Sequence, residues 1–455
     1  MTTKLIHQSQ QDFFATDTSK GVDFRIRQLK KLLAVLKAHE SELFEAIYKD
    51  FKKSSFDTYA TELGLVYHEI SLFIKKLKKW SKPKHVRSGL ANFPAKSYII
   101  PEPLGNTLVI GAWNYPYLLS LKPAIAAIGA GNTVILKPSE IPANTSACLA
   151  KIINTNFEAT IFRVIEGGVP ETTELLQLKF DKIFFTGSTP VGKIIYKAAA
   201  ENLTPVTLEL GGKSPCIVLK DAPLKVTAKR LVWGKFMNAG QTCVAPDYVL
   251  VDQEIEADFL KALKTEIEAL YSSKKVTENF TQIINDKNYQ RLVQLIPSEK
   301  VYCGGTCNAQ ERFIAPTVLS GCSFEDAIMQ DEIFGPILPV IAFNDLDSVI
   351  TQVKARPKPL SCYVYSNHKK DIKKLLKSLS FGGGAVNDSV MHLSNSHLPF
   401  GGVGQSGIGS YHGKYGFDTF THYKSILHKA TWLELNLKYA PYSLKKLKIV
   451  KWLMG

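Results

Sequence analysis

No apolar run in this 455-residue chain reaches the roughly 20 residues that a bilayer-spanning helix needs. The start, Met1-Thr-Thr-Lys-Leu-Ile-His-Gln-Ser-Gln10, lacks the basic-then-apolar order of an export leader, so a cytoplasmic protein is expected. Cysteine is sparse and unpaired in pattern. The seven residues, at 148, 216, 243, 303, 307, 322 and 362, are odd in number and scattered, which fits a reducing compartment better than a disulfide framework. A metal centre also lacks its ligands: Cys303-Gly-Gly-Thr-Cys307 has the wrong internal spacing, and no second Cys or His pair lies at zinc-finger distance. No internal repeat is present. Acid is short relative to base, leaving a net charge of +15, with Lys75, Lys76, Lys78, Lys79, Lys82, Lys84 and Arg87 gathered around Trp80. Such a patch suits nucleic acid or an anionic membrane. Without a nucleic-acid fold motif beside it, the favoured reading is a solvated helix end or an inter-subunit contact.

What the chain does have is enough apolar content, 45%, for two or three domains. Residues 21 to 80 space apolar positions near 3.6 (Ile26, Leu29, Leu32, Leu33, Leu36, then Leu43 and Ile47), which predicts helices docking one face on a sheet. Pro83 ends that region. From Asn106 short apolar runs alternate with helices: strands at 107–110, 133–136, 162–165 and 182–185, and helices at 116–128, from about 143 to 154, and after Pro170. This alternation predicts right-handed crossovers and a parallel, doubly wound sheet, and a second α/β set runs from Pro215 to about Asn387. The glycines Gly382-Gly-Gly384, Gly401-Gly402, Gly404, Gly407 and Gly409, beside Pro399-Phe400, suggest backbone packed closely against something.

Four loops fall at the carboxyl ends of strands, where open α/β sheets bind ligands. Thr186-Gly-Ser-Thr-Pro-Val-Gly192 joins a strand to a helix, with Thr189 as the expected N-cap and Pro190 in the first helical position. Free backbone N–H groups there would face an anion such as a dinucleotide pyrophosphate. Trp113-Asn-Tyr-Pro116 offers the Asn114 amide to an oxyanion. Lys137-Pro-Ser-Glu140 offers partners for ribose hydroxyls, and is equally acceptable as an exposed loop with a helix cap. The fourth is Glu209. Thirty-four residues beyond it, Cys243 lies in Asn238-Ala-Gly-Gln-Thr-Cys-Val-Ala245, between an expected helix and the strand 248–251. A thiol there can act as a nucleophile, and a carboxylate from a separate strand can activate the water that clears a thioester. A lone cysteine is more often an inert small hydrophobe, so the surrounding motifs decide.

Trp113-Asn114, Lys137-Pro-Ser-Glu140, Phe185-Thr-Gly-Ser-Thr189, Leu208-Glu-Leu-Gly-Gly-Lys-Ser-Pro215, Gly240-Gln-Thr-Cys-Val-Ala-Pro-Asp247, Gln330-Asp-Glu-Ile-Phe-Gly-Pro336 and Pro399-Phe-Gly-Gly402 together resemble the NAD(P)-dependent aldehyde dehydrogenase superfamily over nearly the whole chain. Cys243-Val-Ala-Pro-Asp-Tyr248 and Gly404-Gln-Ser-Gly-Ile-Gly-Ser-Tyr-His-Gly413 resemble its class 3 branch, which includes fatty aldehyde dehydrogenases. The resemblance implies an α/β fold with a Rossmann-like cofactor domain (1–83 and 104–210), an α/β catalytic domain (211–410), and an oligomerisation hairpin with C-terminal segment (84–103 and 411–455), its late strand around 411 to 428. It implies oxidation of medium- to long-chain aliphatic or aromatic aldehydes to acids, through a thiohemiacetal and thioester on Cys243. Glu209 would be the deacylation base, and Asn114 with the Cys243 N–H the oxyanion hole. NAD would bind at Trp113, Lys137, Glu140, Gly187, Ser188, Gly192, Glu332 and Phe334, with NADP as the alternative and a homodimer as the assembly.

Two rivals stand beside this reading. An acylating enzyme that releases its product to coenzyme A has less need of Glu209. A basic scaffold or nucleic-acid binder would not require Cys243, Glu209 and Asn114 together. Some relatives carry a spanning C-terminal helix, but Lys438, Lys445, Lys446, Lys448 and Lys451 interrupt this one. Trp432, Leu447, Ile449, Trp452 and Leu453 leave two readings, an amphipathic segment in peripheral contact with a membrane or a tail packed on a partner subunit.

Overall fold

A computed structural model describes residues 2–271 and 278–454. Its first sheet has six strands in the order Gly407–Ile408, Val206–Glu209, Lys182–Thr186, Asn106–Ile110, Thr133–Lys137, Phe162–Val164. All neighbours are parallel except the antiparallel edge Gly407–Ile408. Every residue of the strands at 106–110, 133–137 and 182–186 is buried, as expected for a parallel sheet covered on both faces. The chain builds outward from Asn106–Ile110 to one side, then returns to place Lys182–Thr186 on the other. The order therefore reverses between these two strands, and a crevice opens at their carboxyl ends. Gly407–Ile408, grouped by sequence with the second unit, instead completes the first sheet, because it lies against Leu208 and Glu209.

The helices Val22–Ala38, Glu40–Phe51 and Gly64–Trp80 dock on this layer through Leu29, Leu36, Leu43, Ile47, Ile70 and Phe73. Helix Glu40–Phe51 and the turn Tyr59–Leu63 also supply caps. Asp50 accepts hydrogen bonds from the Asn144 and Thr145 N–H groups (3.2 and 2.8 Å) at the start of helix Ala143–Asn156. Glu62 accepts from the Tyr117 and Leu118 N–H groups (2.9 and 3.2 Å) at the start of Pro116–Ala130, and its other oxygen holds the buried Lys53 at 2.9 Å. Carboxylates at these donor ends satisfy groups that no intrahelical carbonyl reaches, so the loops just before the helices are held in place.

The second sheet has seven strands, ordered Val301–Cys303, Thr317–Leu319, Ile337–Phe343, Tyr248–Asp252, Pro215–Val218, Ser361–Tyr365, Gly383–Val386. Only the first pair is antiparallel. A third sheet of three strands stands apart: Lys84–Val86, Ala95–Pro103 and Thr421–Lys429, the last two paired antiparallel from Pro103↔Thr421 to Ala95↔Lys429. The late strand thus begins ten residues after the expected 411, because Gly413–Thr419 forms a helix against Pro116–Ala130 and buries Phe417.

Candidate active site

The crevice at the reversal point is a cleft of about 510 Å³. Into it converge the strand ends carrying Trp113 and Asn114, Lys137 and Glu140, Gly187 and Ser188, and Glu209, with Cys243, Glu332 and Phe334 arriving from the second layer. Ten of the eleven residues expected from the sequence line this space. Gly192 does not: a Cβ there would lie 2.7 Å from Leu210 Cδ2, so it serves the packing of helix Thr189–Glu201 on the sheet. That helix is capped at Ser188, not Thr189, and no side chain makes the cap bond. The Thr189 hydroxyl reaches instead across to the Gln405 carbonyl at 3.2 Å. The Ser188 end of the helix nonetheless opens on the cleft, and Gly187 keeps the backbone bare there.

Cys243 sits on an unusual turn. After helix Leu224–Phe236, residues Asn238, Ala239 and Gly240 all take positive φ (53°, 52° and 71°). Left-handed backbone costs a non-glycine residue roughly 1–2 kcal/mol, so something must hold it. Gln241 does: its side-chain Nε2 donates to the Gln282 carbonyl (3.0 Å), and its side-chain Oε1 accepts from Ile284 N–H (3.0 Å). Asn238 donates to the Asn114 and Gln241 carbonyls at 2.9 and 3.2 Å. Gly240 passes so close to Gly335 that a Cβ would meet its carbonyl oxygen at 2.2 Å. Thr242 shares a 2.6 Å hydrogen bond with Tyr115, and Tyr363 donates to the Val244 carbonyl at 2.5 Å. None of Asn238, Gln241, Tyr115 or Tyr363 was expected as a site residue. Their only sequence signal is adjacency to Asn114 and Cys243, and for Tyr363 there is none.

Asn114 spends one amide hydrogen on the Gln241 carbonyl at 3.1 Å, which fixes its plane; the amide carries a second hydrogen. Glu209 is 3% exposed, and neither carboxylate oxygen has a hydrogen-bond partner. Burial therefore holds its carboxyl well above the usual range. Burial likewise pushes the Cys243 thiol up to about 12, with the acids Glu332 and Glu209 adding to the shift. Glu332 is itself raised to about 8, first by burial and then by Asp247. Its carboxylate lies over Gly211, where any Cβ would fall 1.9 Å from Oε2. Phe334, at φ 52°, meets Trp113 edge to face at 5.2 Å. At the far end Lys137, almost wholly buried, pairs with the half-exposed Glu140 at 3.1 Å. Val169, Val191 and Ile194 add apolar wall there, unanticipated by sequence.

A helix start facing a groove suits a pyrophosphate, and a buried lysine paired with a half-exposed carboxylate beside apolar neighbours suits an adenosine end, so these residues fit a dinucleotide. Residues 6–426 match the aldehyde dehydrogenase family. A 4,4'-diaponeurosporen-aldehyde dehydrogenase of Staphylococcus aureus (strain NCTC 8325 / PS 47) is 48% identical over 442 residues, covering 96% of each chain. A dimeric, NADP-preferring aldehyde dehydrogenase of Mus musculus is 45% identical over 417 residues, 91% of this chain and 92% of that one. The solved substrate-bound state of Staphylococcus aureus AldH superposes with a TM-score of 0.98 at 46% identity, over 100% of both chains.

Proposed function

The chain belongs to the aldehyde dehydrogenase family and oxidises aldehydes to carboxylic acids with NAD(P), and from that premise we propose that Cys243 is its nucleophile, Glu209 its deacylation base and Asn114 its oxyanion donor. The observation that carries this assignment is the meeting of Cys243 with the unpartnered, buried carboxyl of Glu209 in one cleft. A carboxyl whose affinity for a proton is raised by burial is, once ionised, a stronger base for water than a solvated one. Asn114, its plane fixed by Gln241, offers its second N–H where negative charge develops on the attacked carbonyl oxygen. Thiolate attack forms the C–S bond of a thiohemiacetal; loss of hydride leaves a thioester, and water activated by Glu209 breaks the C–S bond to release the acid. NAD(P), when bound, supplies the hydride acceptor, held by Ser188 and Gly187 at the helix start, Lys137 and Glu140 at the adenosine ribose, and Glu332, Phe334 and Trp113 at the nicotinamide end. The proposed domains are a cofactor unit at 1–83 and 104–210, a catalytic unit at 211–410, and the hairpin with the tail at 84–103 and 411–455. Gly407–Ile408 is donated back to the first sheet.

The substrates are proposed to be medium- to long-chain aliphatic or aromatic aldehydes. Supporting this are the apolar Leu119, Phe400 and Trp113 in the cleft and the 4,4'-diaponeurosporen-aldehyde in the name of the Staphylococcus aureus relative. NADH formation across a panel should show kcat/KM climbing from short to long aliphatic aldehydes. A flat series would remove the preference.

Both cofactors are proposed to serve, with NAD preferred. The Lys137 charge that could meet a 2′-phosphate is engaged by Glu140, whose carboxylate would repel that phosphate. Glu140→Gln should raise the NADP-to-NAD ratio of kcat/KM by roughly ten-fold, the order of one charge-assisted contact. An unchanged ratio takes Glu140 out of the ribose site.

The assembly is proposed to be a homodimer. The outer edge of strand Thr421–Lys429 carries backbone groups free to pair, and the Mus musculus relative is named as dimeric. Among the described residues no helix is long and apolar enough to cross a membrane. The basic C-terminal segment is proposed to touch a membrane surface instead.

A further inference from the structure

Lys53 carries a charge that the fold does not need. Helix Glu40–Phe51 ends at Lys52, whose φ of 52° turns the chain, and Lys53 then meets Glu62 at 2.9 Å with both side chains 0% exposed. Taking two charges out of water costs much of what their attraction returns, and apolar side chains of the same shape often serve stability equally well. Stability alone does not account for the pair, so its contacts must.

Those contacts lead to the site by three routes. Glu62 rides on Tyr59–Leu63, one turn of π-helix, a form frequent at functional sites. Its second oxygen accepts from Tyr117 and Leu118 at the start of helix Pro116–Ala130, just after Asn114. The Lys53 ammonium stands 4.4 Å over the ring of the buried Tyr115, and the Tyr115 hydroxyl shares its 2.6 Å hydrogen bond with Thr242, the residue before Cys243. Two residues back, the Phe51 carbonyl accepts from Gln282 N–H at 2.8 Å, and the Gln282 carbonyl in turn holds the Gln241 side chain at 3.0 Å. Asn114 and Cys243 arrive from different layers, and this short segment braces both. The charge has a part of its own: a cation over the face of a phenol draws electron density from the ring and makes the hydroxyl the better donor, so Tyr115 donates and Thr242 accepts.

We propose that the Lys53–Glu62 pair is a positioning device for the dehydrogenase reaction, holding Tyr115 and the Asn114 loop so that thiol and oxyanion donor keep their mutual geometry. This rests on the reading of Cys243 as nucleophile and Asn114 as oxyanion donor, and extends it to residues that touch neither the substrate nor the reacting atoms.

The rate constant for NADH formation in a single turnover of the full chain tests it. Lys53→Met/Glu62→Gln removes both charges, while glutamine keeps an acceptor for the Tyr117 and Leu118 N–H groups. The rate constant should fall by on the order of 100-fold, the cost of a displacement of about an ångström between reacting groups. The affinity for NAD should hold, because Ser188 and the Lys137–Glu140 pair are untouched. A variant that is merely destabilised would lose amplitude, the fraction of active sites, and keep its rate constant; that result overturns the proposal. Tyr115→Phe keeps the ring over Lys53 and loses only the hydroxyl, so its rate constant should fall by roughly ten-fold, the order of one hydrogen bond. Added to the pair variant it should cost little more, since both changes break one chain of contacts. Full additivity, or a wild-type rate constant in Tyr115→Phe, overturns the proposal, and the latter decides even where the pair variant does not accumulate. Substantial turnover in Cys243→Ala would remove the reading beneath it, whereas an essential Cys243 with a wild-type rate constant in the pair variant overturns the positioning role alone.

Discussion

Glu209→Gln is expected to release about one equivalent of NADH per active site in a rapid burst and then to turn over slowly. The substitution keeps the shape of the side chain at the end of strand Val206–Glu209 and removes only its capacity to take a proton. Glu209 has no hydrogen-bond partner to lose, so the local structure should not change. Formation of the thioester does not need this carboxylate under the proposed roles, whereas its hydrolysis does. Losing a general base typically costs on the order of 10² to 10⁴ in rate, enough to resolve the two phases. Mass spectrometry should find an acyl adduct on Cys243 during the slow phase. The steady-state rate of wild type should also rise with pH, because burial holds the Glu209 carboxyl high and only its ionised form can act. That limb should vanish in the variant. Loss of the burst together with turnover would mean that Glu209 is also needed to form the thiolate, and the deacylation-only role would fall.

The parts of this site that could be read in sequence are those that announce themselves through local chemistry. The strands at 107–110, 133–136 and 182–185 were legible to within a residue or two, because continuous apolar runs between turn residues leave few other conformations. Cys243, Glu209 and Asn114 stood in quotable motifs. The N-cap was misplaced by one residue because a threonine before proline suits the cap as well as a serine does. The Thr189 hydroxyl meets the distant Gln405 carbonyl, a contact the local sequence does not show. Gly192 looked like part of a phosphate loop, yet its lack of a side chain serves Leu210. The supports of the cysteine turn were illegible for a related reason. Gln241, Gln282 and Ile284 are brought together only by the tertiary fold, and nothing at 282 or 284 marks a partner forty residues away. The edge strand Gly407–Ile408 was hidden similarly, since two residues carry no periodicity and their place depends on Glu209 already being there.

Cys243→Ala should abolish dehydrogenase activity, by at least about four orders of magnitude, as removal of a nucleophile does elsewhere. Binding of NAD should survive, since the proposed cofactor contacts lie on other elements and the turn is held by Gln241 and Asn238. The other thiols give the contrast. Cys303 and Cys307 lie on the short strands Val301–Cys303 and Cys307–Asn308, away from the cleft lining, so alanine at either should leave turnover nearly unchanged. Reactivity provides a second and independent readout. In the cofactor-free enzyme burial pushes the Cys243 thiol up to about 12, so at neutral pH only a small fraction is thiolate. Alkylation of Cys243 by iodoacetamide should therefore be slow near neutrality and should quicken steadily as pH rises. Saturating NAD brings a cationic ring into the proposed nicotinamide end near Glu332, and an opposite charge close to a thiolate favours the ionised form. Alkylation at neutral pH should then accelerate severalfold, provided the cofactor leaves the sulfur accessible, which a smaller alkylating agent can check. Substantial turnover in Cys243→Ala would remove the nucleophile from the mechanism. An alkylation rate independent of pH would show that the resting cysteine is already a thiolate, and that burial does not set its state.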